Sequence, residues 1–231
     1  MTRKELIEQV ALRMDEITPE SGLTIAVDGV VNPVTGADEN PLYELIDGLA
    51  DDCALELYAS APYWRLPVTP FLSDEDHDEI KVEAIFPTNP NSRKMIRLKV
   101  TDSFLRLAVV KCAEFQRPVT DIYPEASPEG KRQHNRYLMG KEAKPVAVLT
   151  HGWWNGVPRR EIDCYSLKAD TSMAPRAGIE ASYIPKPGRA ETIPERLFPP
   201  LEWLIAARAF EARGDGNHGQ ICLNTAKSLL V

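Results

Sequence analysis

The sequence predicts an α+β protein in which helices from the two ends of the chain form a bundle and the middle forms an inserted, β-rich domain. Three observations lead there. Apolar residues recur at helical spacing near both termini, short runs between them alternate apolar with polar, and the 19 prolines fall mostly between residues 62 and 200. The division is 1–61 for the N-terminal helices, 62–185 for the β-rich insertion and 186–231 for a C-terminal helical hairpin. A chain of 231 residues can bury one large core or two small ones, and 43% hydrophobic against 26% charged residues is an ordinary globular balance.

Thr2-Arg3-Lys4-Glu5 is a capping box, in which a Thr and the Glu three residues on satisfy free N–H groups of a first helical turn. Leu6, Ile7, Val10, Met14 and Ile17 follow at helical spacing, and Pro19 with Gly22 ends the run. Residues 23–39 are partly β-branched and rich in turn formers, which fits a short strand, a hairpin or an extended arm. Asn40 as cap and Pro41 at the first helical position open a second helix, with Leu42, Leu45, Ile46, Leu49, Cys53 and Leu57 as its stripe.

From about Pro62 the period changes. IKVEAIF (80–86), MIRLKV (95–100), VAVLT (146–150), REIDCYSL (160–167) and GIEASYI (178–184) read as at least five strands. TNPNS joins the first two, and a turn at Asn155-Gly156 joins VAVLT to REIDCYSL. Residues 102–116 fit either a buried helix or a pair of strands, with strands preferred. Ser127-Pro128 begins a short basic helix on which Arg132 and Arg136 stand at i and i+4. After a proline-rich linker, Pro199-Pro200 opens a helix through LEWLIAARAFEAR. Gly214 suits the end of that helix, Asp215-Gly216 the turn, and Asn217-x-x-Gln220 a capping box for a last helix with Cys222, Ala226, Leu229 and Leu230 inward.

The glycines of ARGDGNHGQ (212–220) therefore have structural work. No Gly-Lys-Ser/Thr follows them, as a phosphate loop requires, and the oxygen spacing of a calcium loop is missing. Four isolated cysteines without a CxxC pair predict reduced core residues of an intracellular protein and no zinc site. Charges at the N-terminus and the lack of a long apolar stretch predict neither a signal peptide nor a membrane span. The net charge of −7 argues against a protein that grips nucleic acid. No catalytic, cofactor or metal motif is visible. The acidic run SDEDHDE (73–79) reads as a solvated loop and KRQHNRYLMGKEAK (131–144) as its basic counterpart. Adjacent Trp153 and Trp154, in the loop His151–Gly156, are the candidate interface or ligand platform, with Arg132 and Arg136 as candidate interface cations.

Three stretches carry a resemblance: NPLYELIDGLADDCALELYASAPYWRLP, FLRLAVVKCAEFQRPVTDIYPEASPEGKRQHNRYL and IPKPGRAETIPERLFPPLEWLIAARAFEARGDGNHGQ. In their order, over roughly two-thirds of the chain, they resemble the head-to-tail connector (adaptor or ring) proteins of short-tailed, crAss-like bacteriophages. The resemblance implies a structural virion protein without enzymatic activity or cofactor. It implies a homo-oligomeric ring of about twelve subunits, a dodecamer, at the head-tail junction, assembled in the host bacterial cytoplasm. Its partners would be further copies of itself, the portal protein, tail or further ring proteins, and packaged DNA passing through the channel unread. The acidic run of one subunit would meet the basic segment of the next, and residues 23–39 and 73–79 would become ordered on docking. The alternative from another class is a carbohydrate-binding module or tail-associated enzyme that uses the His151–Gly156 loop.

Overall fold

The structure is a computed structural model, and it describes residues 1–17, 41–72, 79–84, 94–135, 137–154, 156–167 and 178–231. The protein is α+β. Its chain divides into two compact units, one made of Met1–Pro67 with Lys186–Val231 and the other of Val68–Pro185. The arm 23–39, Asn40, the TNPNS turn and all of the acidic run except Glu79 lie outside the described residues.

The first unit contains α1 (Arg3–Ile17), α2 (Pro41–Ser60), α4 (Phe198–Ala212) and α5 (Gly216–Ser228). The Thr2–Glu5 box closes both ways: Thr2 N donates to Glu5 Oε2 at 2.7 Å, and Glu5 N to Thr2 Oγ1 at 3.2 Å. Helix α4 is central. Leu201, Leu204, Ile205, Ala206, Ala207, Ala209 and Phe210 are all buried, so it is apolar almost all round, as a helix enclosed by others must be. It packs against α1, α2 and α5. On α1 the inward residues are Leu6, Val10, Ala11 and Met14, and on α2 they are Leu42, Ile46, Ala50, Cys53, Ala54, Leu57 and Tyr58. Leu45 and Leu49 lie at the margin of that stripe.

Polar ties hold the same helices in register. Arg3 pairs with Asp47 at 2.6 Å and Asp51 at 2.8 Å, while Ala190 N donates to Asp51 Oδ1 at 2.8 Å. Arg208 pairs with Glu56 and with Glu211. The first boundary between the units falls after Pro67 rather than after residue 61, because the 3₁₀ turn Tyr63–Arg65 is fastened to the end of the chain. Arg65 donates to the carbonyls of Leu229 at 2.7 Å and Val231 at 3.0 Å.

Between α4 and α5 the chain turns through a Schellman motif. Asp215 N bonds to Phe210 O at 2.9 Å, Gly214 N to Glu211 O at 3.0 Å, and Gly214 takes φ +81°, which a residue with a Cβ adopts only under strain. The cap of α5 differs from expectation. Asp215, not Asn217, is the N-cap: its Oδ1 accepts from His218 N at 3.3 Å and its Oδ2 meets His218 Nδ1 at 2.6 Å. Gly216 is already helical, so Asn217 stands inside the first turn, and Gln220 instead reaches Asn224 at 3.0 Å.

The second unit holds eight strands among its described residues: β1 (Thr69–Pro70), β2 (Ile80–Ala84), β3 (Lys94–Lys99), β4 (Phe104–Cys112), β5 (Ile122–Pro124), β6 (Val146–Trp154), β7 (Val157–Leu167) and β8 (Ile179–Pro185). They form one sheet in the order β1-β8-β4 and another in the order β2-β3-β7-β6-β5; only β5 and β6 pair in parallel. Residues 102–116 hold a single strand, β4, rather than two; its core residues Phe104, Leu107 and Val110 stand three apart because the register against β8 shifts between Phe104 and Arg106 and again between Leu107 and Val109. That core draws Phe71, Phe104, Leu107, Val110, Ala181 and Tyr183 from the first sheet's side and Ile80, Ile96, Leu98, Ala147, Ile162 and Cys164 from the second.

Helix α3 (Pro128–Arg132) is capped by Ser127, whose Oγ accepts from Gly130 N at 3.0 Å. It ends at Arg132 and gives way to turns over residues 133–135, and Arg136 lies outside the described residues. All four cysteines are free thiols, and burial pushes Cys53 up to about 12 and Cys222 up to about 11. No helix among the described residues is long and apolar enough to cross a membrane.

Candidate functional site

Strand β7 reads Glu161-Ile162-Asp163-Cys164-Tyr165, and alternation sends Ile162 and Cys164 into the core. The other three residues share the opposite face. Register places Thr150 and Lys99 beside Glu161, Val148 and Arg97 beside Asp163, and Val146 and Met95 beside Tyr165. On this outer face Met95, Val148 and Tyr165 make a small apolar cluster, with a charged cluster next to it.

Arg97 is the hub of the charges. Its Nε and Nη2 donate to Asp163 at 2.8 and 3.1 Å, and its Nη1 donates to Glu83 at 2.8 Å. Thr150 Oγ1 donates to Asp163 at 3.4 Å. Glu161 is placed differently: Oε2 lies 3.1 Å from Arg97 Nε, whose N–H is directed at Asp163. Neither oxygen of Glu161 has a hydrogen-bond partner, and the residue is 0% exposed. Burial pushes the Glu161 carboxyl up; Arg97 opposes that, and Asp163 adds to it. The hydrogen bonds that the guanidinium donates to Asp163 hold Arg97 above its ordinary value. Gly152 on β6 makes room for the carboxylate, since a Cβ there would come within 2.3 Å of Glu161 Oε2.

Of the residues singled out in the sequence, His151 and Gly152 line the recess beside Glu161, while Trp153 and Arg132 are not among its lining. Residues 151–154 are the end of strand β6 rather than a loop, because they pair with Val157–Arg160 through the last residue, Trp154 opposite Val157. Trp153 is 72% exposed. The side chain of Trp154 and all of Arg136 lie outside the described residues. Arg132 is exposed and lines a recess of about 400 Å³ with Tyr123, Tyr137, Lys141 and Lys144. Gln133 braces the rim: its Nε2 donates to Glu129 O at 2.9 Å, and its Oε1 accepts from Gly140 N at 2.8 Å. Trp153 and the basic recess are thus separate features.

Two features escaped sequence reading. One is Trp64, 66% exposed in the helical unit and stacked edge-on with Tyr63; the run Tyr63-Trp64-Arg65 between two prolines was its available signal. The other is the charged cluster. Glu161 and Asp163 alternate with apolar residues, which is the pattern of an ordinary solvated strand face, while their partner Arg97 lies 66 residues away from Asp163 in sequence. Among the described residues no group of three or more His, Cys, Asp or Glu is arranged to hold a metal ion. No protein-family model matches the chain, and no curated protein matches it.

Proposed function

We propose that this chain is a structural subunit of a ring at the head-to-tail junction of a tailed bacteriophage, docked beneath the portal, extending the DNA channel and offering a platform to the tail. In this reading the helices from both ends form a bundle, the β-rich residues are a domain inserted into it, and the protein acts by assembly rather than by chemistry. The observation that carries it is the double crossing of the chain, with residues 1–67 and 186–231 in one compact unit and 68–185 in the other. That is the organisation the connector resemblance implies.

Surface chemistry adds support. Trp153 and Trp64 are large apolar surfaces of the kind that interfaces cover. Arg132, Lys141 and Lys144 have no ion-pair partner among the described residues and suit the acidic run 73–79 of a neighbouring copy. The net charge of −7 suits a channel along which DNA phosphates slide without being held. Native mass spectrometry of the purified chain, alone and with the portal protein of the same phage, tests the reading. A ring-sized species is expected, weakened by Arg132→Glu; a monomer indifferent to the portal overturns it.

One observation favours a second reading, carbohydrate binding: exposed Trp153 follows Gly152, which lines a recess together with carboxylates. Tryptophan fluorescence separates the two. It responds to glycans in the second case and to ring assembly in the first.

A further inference from the structure

We propose that the recess on the outer face of the five-stranded sheet binds a small organic cation by its ammonium group, whose N–H donors are accepted by the carboxylate of Glu161. Glu161 is fully buried, yet no donor satisfies either oxygen. Native proteins seldom leave a buried carboxylate in that condition, and where they do a ligand is one of the few physical reasons. Arg97 is close enough to offset part of its charge, but the N–H nearest to Glu161, that of Nε, is directed at Asp163, and Nη2 and Nη1 donate to Asp163 and Glu83.

The surroundings specify the ligand. Glu161 lines a recess of about 260 Å³ together with Asp163, Glu125, His134, His151 and Tyr165. Three carboxylates face the single guanidinium of Arg97 there, so the recess attracts positive charge. A metal ion fits poorly, since no three ligating side chains converge among the described residues. An ammonium fits better: it is all donor, which is what an acceptor-only carboxylate lacks. Met95 and Tyr165 supply an apolar wall for the carbon chain attached to it. Gly152 leaves the room that the Glu161 carboxylate occupies at the recess, because a Cβ there would come within 2.3 Å of Glu161 Oε2. Glu125, exposed among the lining residues, offers a second anchor, so a diamine binds better than a monoamine. This inference does not depend on the ring reading.

The probes are putrescine and n-butylamine hydrochloride, titrated into the full chain by calorimetry against sodium chloride at matched ionic strength. Amide chemical-shift mapping locates the site. The expected result is saturable binding with a Kd of roughly millimolar or tighter, with shifts centred on Thr150–Gly152 and Glu161–Tyr165. Glu161→Gln should weaken it by about tenfold or more, and Glu125→Gln should abolish the preference for putrescine. A monoamine bound as well as the diamine, still dependent on Glu161, assigns the site to a single ammonium such as a lysine side chain. Absence of saturable binding, shifts centred elsewhere, or equal binding by Glu161→Gln overturns the proposal. Should Glu161→Gln not fold, the shift map of the unaltered chain decides by itself.

Discussion

Asp51 and Glu161 are both carboxylates, and their surroundings move them in opposite directions. Partial burial raises Asp51, but the Ala190 N–H and the Arg3 guanidinium outweigh it and hold the group below the usual range. Its stabilising effect is complete above about pH 4 and fades as pH falls through the lowered folded value. Glu161 is raised by burial, so the native state keeps its proton more firmly than the unfolded chain does. Its contribution favours the native state below about pH 4 and is lost as pH rises through the raised value. Urea unfolding across pH checks both signs. Asp51→Asn should be less stable than the parent at pH 7, with the gap closing in acid. Glu161→Gln should be more stable at pH 7, again with a closing gap; a loss of stability at pH 7 would refute this account of Glu161.

At the scale of elements, the helices were the most legible part of the sequence, because the stripe of Leu6, Val10 and Met14 and the Thr2–Glu5 box are local signals. Centrality was not legible. Nothing in LEWLIAARAFEAR alone says that α4 is enclosed by three other helices, yet Leu201 and Ile205 are fully buried there. Leu201→Ala should therefore cost about 2–5 kcal/mol, whereas Leu12→Ala, on the half-exposed side of α1, should stay within about 0.5 kcal/mol. Denaturant melts of the two variants give the comparison. The cap of α5 differs from the sequence expectation for a subtler reason. Both Asp215 and Asn217 are good caps, and the choice was made by Gly214, whose left-handed backbone starts the next helix two residues sooner. Strand positions were legible through alternation, but β4 was ambiguous because FLRLAVVKC sets apolar residues both two apart, at Leu105, Leu107 and Val109, and three apart, at Phe104, Leu107 and Val110. The charged cluster was not legible at all: it needs β2, β3 and β7 side by side, a register that no single stretch of sequence encodes.

For the molecule as a whole, each unit has its own core, and the chain passes between them after Pro67 and after Pro185. Residues 68–185 should then fold when expressed alone, giving dispersed amide resonances and a cooperative melt. A collapsed, non-cooperative product would mean that the sheets need the helical residues to form. The first and last strands of this unit, β1 and β8, are hydrogen-bonded neighbours, with Thr69 opposite Tyr183 and Pro70 opposite Ser182. The pair is antiparallel, so the two points where the chain leaves the unit lie at the same end of one ladder. Tension applied between Pro67 and Lys186 would accordingly peel that ladder open one rung at a time instead of shearing all its rungs together. The β unit is a mechanically soft link, able to yield at its root under a pull that its core would otherwise withstand.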